Sequence, residues 1–88
     1  MKPEEAKGLY LQGNIGGRSY SALVIGVWTW YTRESPEGPP VEMWTLTFVG
    51  TAEGWILGPW MVDIEESKAD KETIRKAVED TIRRMMGW

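Results

Sequence analysis

The pattern of apolar and polar positions divides the chain into a long β-rich part and a single helix. Residues 9–15 and 18–32 are extended runs separated by Gly16 and Gly17, a pair that accepts the positive φ angles of a tight hairpin turn. With those glycines at the turn centre, Leu11 faces Ala22, Leu9 faces Val24, and Gly13 faces Tyr20, whose ring can cover the bare glycine backbone. Residues 33–40 (RESPEGPP) hold three prolines and a glycine and are expected as an exposed loop. From 41 to 49 the alternation is clean, with Trp44, Leu46 and Phe48 on one side and Met43, Thr45 and Thr47 on the other. Residues 50–54 read as a turn and 55–64 as a fourth strand, in which Gly58-Pro59 removes a ladder donor and calls for a bulge or an edge position.

The period then changes. Asp70 stands as the N-cap of a helix whose Ile74, Ala77, Val78, Ile82 and Met85 form one apolar stripe, ending near Gly87. On the polar face Glu72 precedes Lys76, Glu79 precedes Arg83 and Asp80 precedes Arg84 by four positions, the favourable order for helix pairs. The expected fold is α+β: an antiparallel four-stranded β-meander followed by one C-terminal amphipathic helix (ββββα). Residues 1–88 form a single domain, with 1–7 a polar leader that frays, 8–64 the meander and 70–86 the helix.

Assigning faces from the hairpin register gathers Leu9, Leu11, Ile15, Tyr20, Ala22, Val24, Trp28 and Trp30 on one side, the seat for the helix. The other side collects Tyr10, Leu23, Ile25, Val27 and Tyr31, joined by Met43 and Val49 among Gln12, Ser19, Ser21, Thr45 and Thr47. A solvated face should be polar, and this one is not. A helix of about seventeen residues is roughly 25 Å long and covers a single face, which leaves the second as an apolar patch for another chain to cover. The alternative is a bulge at Gly26 that flips the strand partway, so that both apolar sets point into one core.

Composition narrows the chemistry. Six tryptophans, three tyrosines and one phenylalanine supply the bulk that an 88-residue core needs, and core packing is the first expectation for them. The chain has no cysteine and no histidine, which removes disulfides, thiolate nucleophiles, the commonest general base and the commonest zinc ligands. Asp63, Glu65 and Glu66 could offer carboxylates to a hard cation such as magnesium, but acids leading into a helix are ordinary complements to its positive end. No catalytic residue, metal site or cofactor is assigned, and the chain reads as a non-enzyme. The glycines of GNIGGR fit neither the dinucleotide nor the Walker fingerprint, and the prolines of SPEGPP read as loop punctuation. The longest apolar run, 22–30, is too short to span a bilayer, the first residues lack an apolar signal core, and a cytoplasmic location without membrane attachment is expected.

A net charge of −3 disfavours nucleic acid as a partner and favours protein. The function expected is therefore a non-catalytic protein-interaction module, such as a small phage-type inhibitor or viral accessory protein, binding a protein partner or a second copy of itself as a homodimer. Its interface residues are expected to be Tyr10, Leu23, Ile25, Val27 and Tyr31, with Arg33 and Glu37 as rim charges. The competing expectation is a single-stranded nucleic-acid binder that stacks bases on Trp28, Trp30, Trp44 or Trp55. Four strands and a helix resemble the topology of single-strand binders of the Whirly type, a likeness of fold with no shared motif.

Overall fold

The computed structural model describes residues 1–88, in the order α1 (Pro3–Ala6), β1 (Tyr10–Ile15), β2 (Arg18–Thr32), β3 (Val41–Ala52), β4 (Trp55–Glu65), a 3-10 turn (Glu66–Lys68) and α2 (Lys71–Met86). The strands form one antiparallel sheet in the order β1-β2-β3-β4, so the chain is an α+β meander closed by a C-terminal helix. No helix is long and apolar enough to cross a membrane.

The first hairpin has the expected register. Leu11 pairs with Ala22 and Gly13 with Tyr20, and Gly16 and Gly17 both take positive φ, at 57° and 87°. The Tyr20 ring lies so close over Gly13 that a Cβ there would fall 2.8 Å from it. At the helix, Asp70 accepts a 2.7 Å bond from the Thr73 amide, and Gly87 closes the C-terminus in the left-handed region, where a glycine is least strained. Ile74, Val78 and Ile82 are fully buried against Leu11, Ile15, Val24, Trp44, Leu46, Phe48 and Leu57.

Four local expectations change. The leader does not simply fray: α1 is capped by a bond from the Lys2 amide to Glu5 Oε1 at 2.9 Å, and Ala6 is completely buried. Met85 is exposed, and Met86 and Thr81 take the inward positions at that end of α2. Of the anticipated helix pairs, Asp80 binds Arg83 at 3.1 Å and Glu72 lies 3.7 Å from Arg75, while Glu79 is drawn off to Tyr20. Finally, β3 runs on to Ala52, and the turn shrinks to Glu53 and Gly54, both at positive φ. Gly50 thus belongs to the strand. A Cβ there would sit 2.2 Å from the Ser21 carbonyl oxygen, so this glycine serves a close strand approach and not a turn.

Two bulges decide which side chains face the helix. In β2, Val24 pairs with Phe48 but Gly26 pairs with Thr47, which makes Ile25 an extra residue. In β4, Phe48 pairs with Trp60 but Gly50 pairs with Leu57, so the chain bulges around the cis Gly58-Pro59 bond, as the lost donor implied. Past Ile25 the alternation of β2 is inverted. Val27 and Thr29 now pair with Leu46 and Trp44 on the helix side, while Trp28 and Trp30 pair with Thr45 and Met43 on the other. The bulge anticipated as an alternative is present, yet it does not bring both apolar sets inside. It exchanges them.

Candidate functional site

The face of the sheet turned away from α2 is the surface this fold leaves open. Before the bulge it carries Tyr10, Leu23 and Val49 in one row across β1, β2 and β3, with Ile25 exposed beside them. Gln12, Ser21, Thr51 and Ile56 form the next row, in which Ser21 and Thr51 share a 3.1 Å hydrogen bond and Ile56 is 85% exposed. Between them the row of Leu11, Ala22, Gly50 and Leu57 belongs to the helix side, so the two outer rows frame a shallow depression of about 360 Å³ lined by Tyr10, Ser21, Leu23, Val49, Gly50, Thr51 and Ile56. Its walls are apolar except where Ser21 and Thr51 form part of one side, and its floor is backbone.

After the bulge the same face carries Trp28, Trp30, Met43 and Met61. The Trp28 ring leans over Gly26, where a Cβ would meet it at 3.3 Å, and 56% of Trp28 remains exposed. Thr47, flanked by Gly26 and Met61, has a buried hydroxyl without a partner. Trp30 Nε1 donates to Thr45 Oγ1 at 2.9 Å, and Thr45 Oγ1 donates to Asp63 Oδ1 at 2.6 Å, so one chain of bonds crosses three strands and fixes the indole against the sheet. Asp63 and Glu65 are the carboxylates of this face, and Lys68 Nζ reaches Glu65 at 3.9 Å. No group of three metal-ligating side chains converges here or elsewhere.

The anticipated interface residues are therefore divided. Tyr10, Leu23 and Ile25 lie on the open face and are exposed. Val27 is turned to the helix side and packs against the core, a correction that follows from the extra residue at Ile25. Tyr31 is on that same side at the far end of the sheet; it is 66% exposed and its hydroxyl donates to Glu42 at 3.1 Å. That bond to a carboxylate raises the Tyr31 pKa above the usual phenol value. Arg33 is spent on the loop, donating to the Gly38 carbonyl at 3.0 Å. Trp28 and Trp30 stand on the open face in place of Val27 and Tyr31, and Ile56 and Met61 join them from β4. Gly26 in mid-strand was the mark of the exchange, and the alternation of Met61 and Asp63 against Trp60, Val62 and Ile64 was the mark of the outer β4 residues.

The tryptophans expected to fill the core divide as well. Trp44 is buried, with its Nε1 donating to Glu42 at 2.9 Å. Trp60 packs edge-to-face on Phe48 with ring centres 6.1 Å apart, and Trp88 stacks under Arg18 at 4.8 Å. Trp28, Trp30 and Trp55 are exposed.

On the helix side one polar cluster is tied to the fold. Tyr20 donates its hydroxyl to Glu79 Oε2 at 2.6 Å, and Arg75 approaches that hydroxyl at 3.4 Å while donating to the Gln12 carbonyl at 2.6 Å. Burial, and then the bond to Glu79, push the Tyr20 pKa up to about 12. The cluster pins α2 to the first hairpin. Comparison with protein-family models, curated proteins and solved structures finds no match.

Proposed function

We propose that this chain is a non-catalytic protein-interaction module, of the kind found among small inhibitors and accessory proteins, whose binding surface is the open sheet face. The observation that carries this reading is the exposure of Tyr10, Leu23, Ile25, Ile56, Trp28 and Met61 together on one side of one sheet, with no element of the chain laid over them. A rigid sheet presents these side chains in a fixed pattern, so little conformational freedom is lost when a partner covers them. The depression over Gly50 gives a protruding partner side chain a place to enter, the arrangement in which a few contacts carry most of the binding energy.

The nucleic-acid reading draws support from Trp28 and Trp30, two exposed indoles on strands. It draws none from charge. The open face bears Asp63 and Glu65, and Arg75, Arg83 and Arg84 belong to α2 in the other layer. Phosphate recognition needs cations beside the stacking platform, so protein is the favoured partner.

The test places a photo-crosslinking residue at Leu23 and, as a control, at Lys76 on α2. The Leu23 probe is expected to yield a discrete protein adduct in native extract. The purified partner should then bind the parent chain and lose at least tenfold affinity for the L23K/I56K double variant. Equal adducts from both positions, or undiminished binding by the double variant, would overturn the assignment. Tryptophan emission titrated with a single-stranded oligonucleotide at low salt is expected to stay flat; salt-sensitive quenching would promote the nucleic-acid reading instead.

A further inference from the structure

The far part of β2 is an unprotected strand edge. β1 pairs with β2 only as far as Leu23, and Gly8 and Leu9 extend the ladder to Val24. Beyond that point β2 is bonded to β3 on one side, and α1, which precedes Gly8 in the chain, packs on β2. Residues 28–32 (Trp28, Thr29, Trp30, Tyr31, Thr32) are all exposed. Folded proteins usually blunt such an edge with charge, proline or a bulge. The β4 edge has these devices, in the bulge at Gly58-Pro59 and in Asp63 and Glu65. On the β2 edge the Ile25 bulge lies before residues 28–32, and within that stretch none of these devices appears: from Ser19 to Thr32 no side chain carries a charge and none is proline, in a chain where 26% of residues are charged.

The direction of the free backbone groups follows from the faces. Val24, on the helix side, directs its N–H and C=O to β1. In a regular strand all residues of one face direct these groups the same way. After the bulge the helix-side residues are Val27, Thr29 and Tyr31, so their N–H and C=O groups point out from the edge.

We propose that this edge pairs with the same edge of a second copy, antiparallel and two-fold about Trp30, to join two sheets into one of eight strands. In this register Thr29 of each copy exchanges backbone hydrogen bonds with Tyr31 of the other. Trp30 meets Trp30 at the non-hydrogen-bonded position, where side chains approach most closely, and Trp28 lies on the diagonal. The occupant is a copy of this chain because the segment is complementary to itself: a two-fold axis uses every contact twice. Two chains of net charge −3 can also meet along it without opposing like charges. The pairing rests on the backbone edge of β2 and not on the reading of the open face above; Trp28 and Trp30 belong to both surfaces, whereas the depression over Gly50 lies in the part of the sheet before the bulge.

Sedimentation equilibrium of the full chain is the test, and a mass twice the 10.0 kDa of one chain is expected. T29P removes an outward N–H that β3 does not use, and Y31K places a charge on the edge; each is expected to return the mass to that of one chain with unchanged circular dichroism. If T29P fails to fold, Y31K decides. A single-chain mass for the parent at millimolar concentration would overturn the proposal, as would a pair that survives both variants. A pair lost in L23K/I56K and kept in Y31K would place association on the open face, and edge pairing would be wrong. Strand addition by a different protein would show as a monomeric parent and would equally overturn it.

Discussion

Individual residues carry much of the specification, and two glycines show how differently the same residue type can act. Gly50 lets β2 and β3 close to a distance at which any Cβ would overlap the Ser21 carbonyl, a backbone atom that cannot swing away. Gly26 faces only the end of the Trp28 ring at 3.3 Å, and an exposed indole can rotate. Gly50→Ala is therefore expected to lower stability by about 3 kcal/mol and Gly26→Ala by well under half of that, read from urea unfolding. Tyr20 makes a second test at this scale. Its pKa rises to about 12 in the folded chain because burial and Glu79 both favour the neutral phenol, whereas the unfolded chain ionises near 10. The stabilisation is complete below about pH 10 and disappears as pH rises through the folded value. The parent should lose stability across that alkaline window more steeply than Y20F, and parallel curves for the two would show that the hydroxyl makes no such contribution.

At the scale of elements, the helix and the first hairpin were legible in the sequence because each is set by local chemistry. Gly16-Gly17 fixes the turn, the turn fixes the register, and Asp70 fixes where α2 starts. The Asp70 carboxyl is held below its ordinary value by the bond from the Thr73 amide. A depressed carboxyl stabilises above its unfolded pKa and stops doing so as pH falls through the folded one. D70A is expected to melt lower than the parent at neutral pH, with the gap closing as pH drops below about 3.8. The phase of β2 was legible only as an alternative, the bulge at Gly26, because one added residue reverses every later side chain while leaving composition and period unchanged. The bulge also makes a prediction of its own. Deleting Ile25 would let Gly26 follow Val24 in ordinary alternation, keeping Trp28 and Trp30 outward and Val27 inward. That deletion is expected to fold with acrylamide quenching of tryptophan close to the parent's; quenching that changes strongly on the deletion would show that the extra residue does not set the phase of β2.

For the molecule as a whole, the imbalance between sheet and helix was readable, and the membership of the open face was readable in part: Tyr10, Leu23 and Ile25 were placed on it, Trp28, Trp30, Ile56 and Met61 were not. One α2 of sixteen residues covers one side of four strands, and that ratio follows from the alternation in β1 to β4 and the single apolar stripe of α2. Which apolar residues were left over depended on the bulges at Ile25 and Gly58-Pro59; Gly26 and Gly58-Pro59 marked where bulges could fall, but how each one turns the following side chains is set by how strands meet across the sheet. A consequence separates the two sides energetically. Side chains of the helix side are buried by folding, so Leu57→Ala should cost about 2–5 kcal/mol, as a fully buried leucine does on truncation. Leu23 and Ile56 keep most or much of their exposure in the folded chain, and polar replacements there should change stability by only about 0.5 kcal/mol each. A folding energy that ignores Leu23 and Ile56, combined with a binding energy that depends on them, is what a surface kept apolar for a partner requires. Equal destabilisation by L57A and by L23T/I56T in urea unfolding would mean that the open face contributes to folding, and its apolar character would then need no partner to explain it.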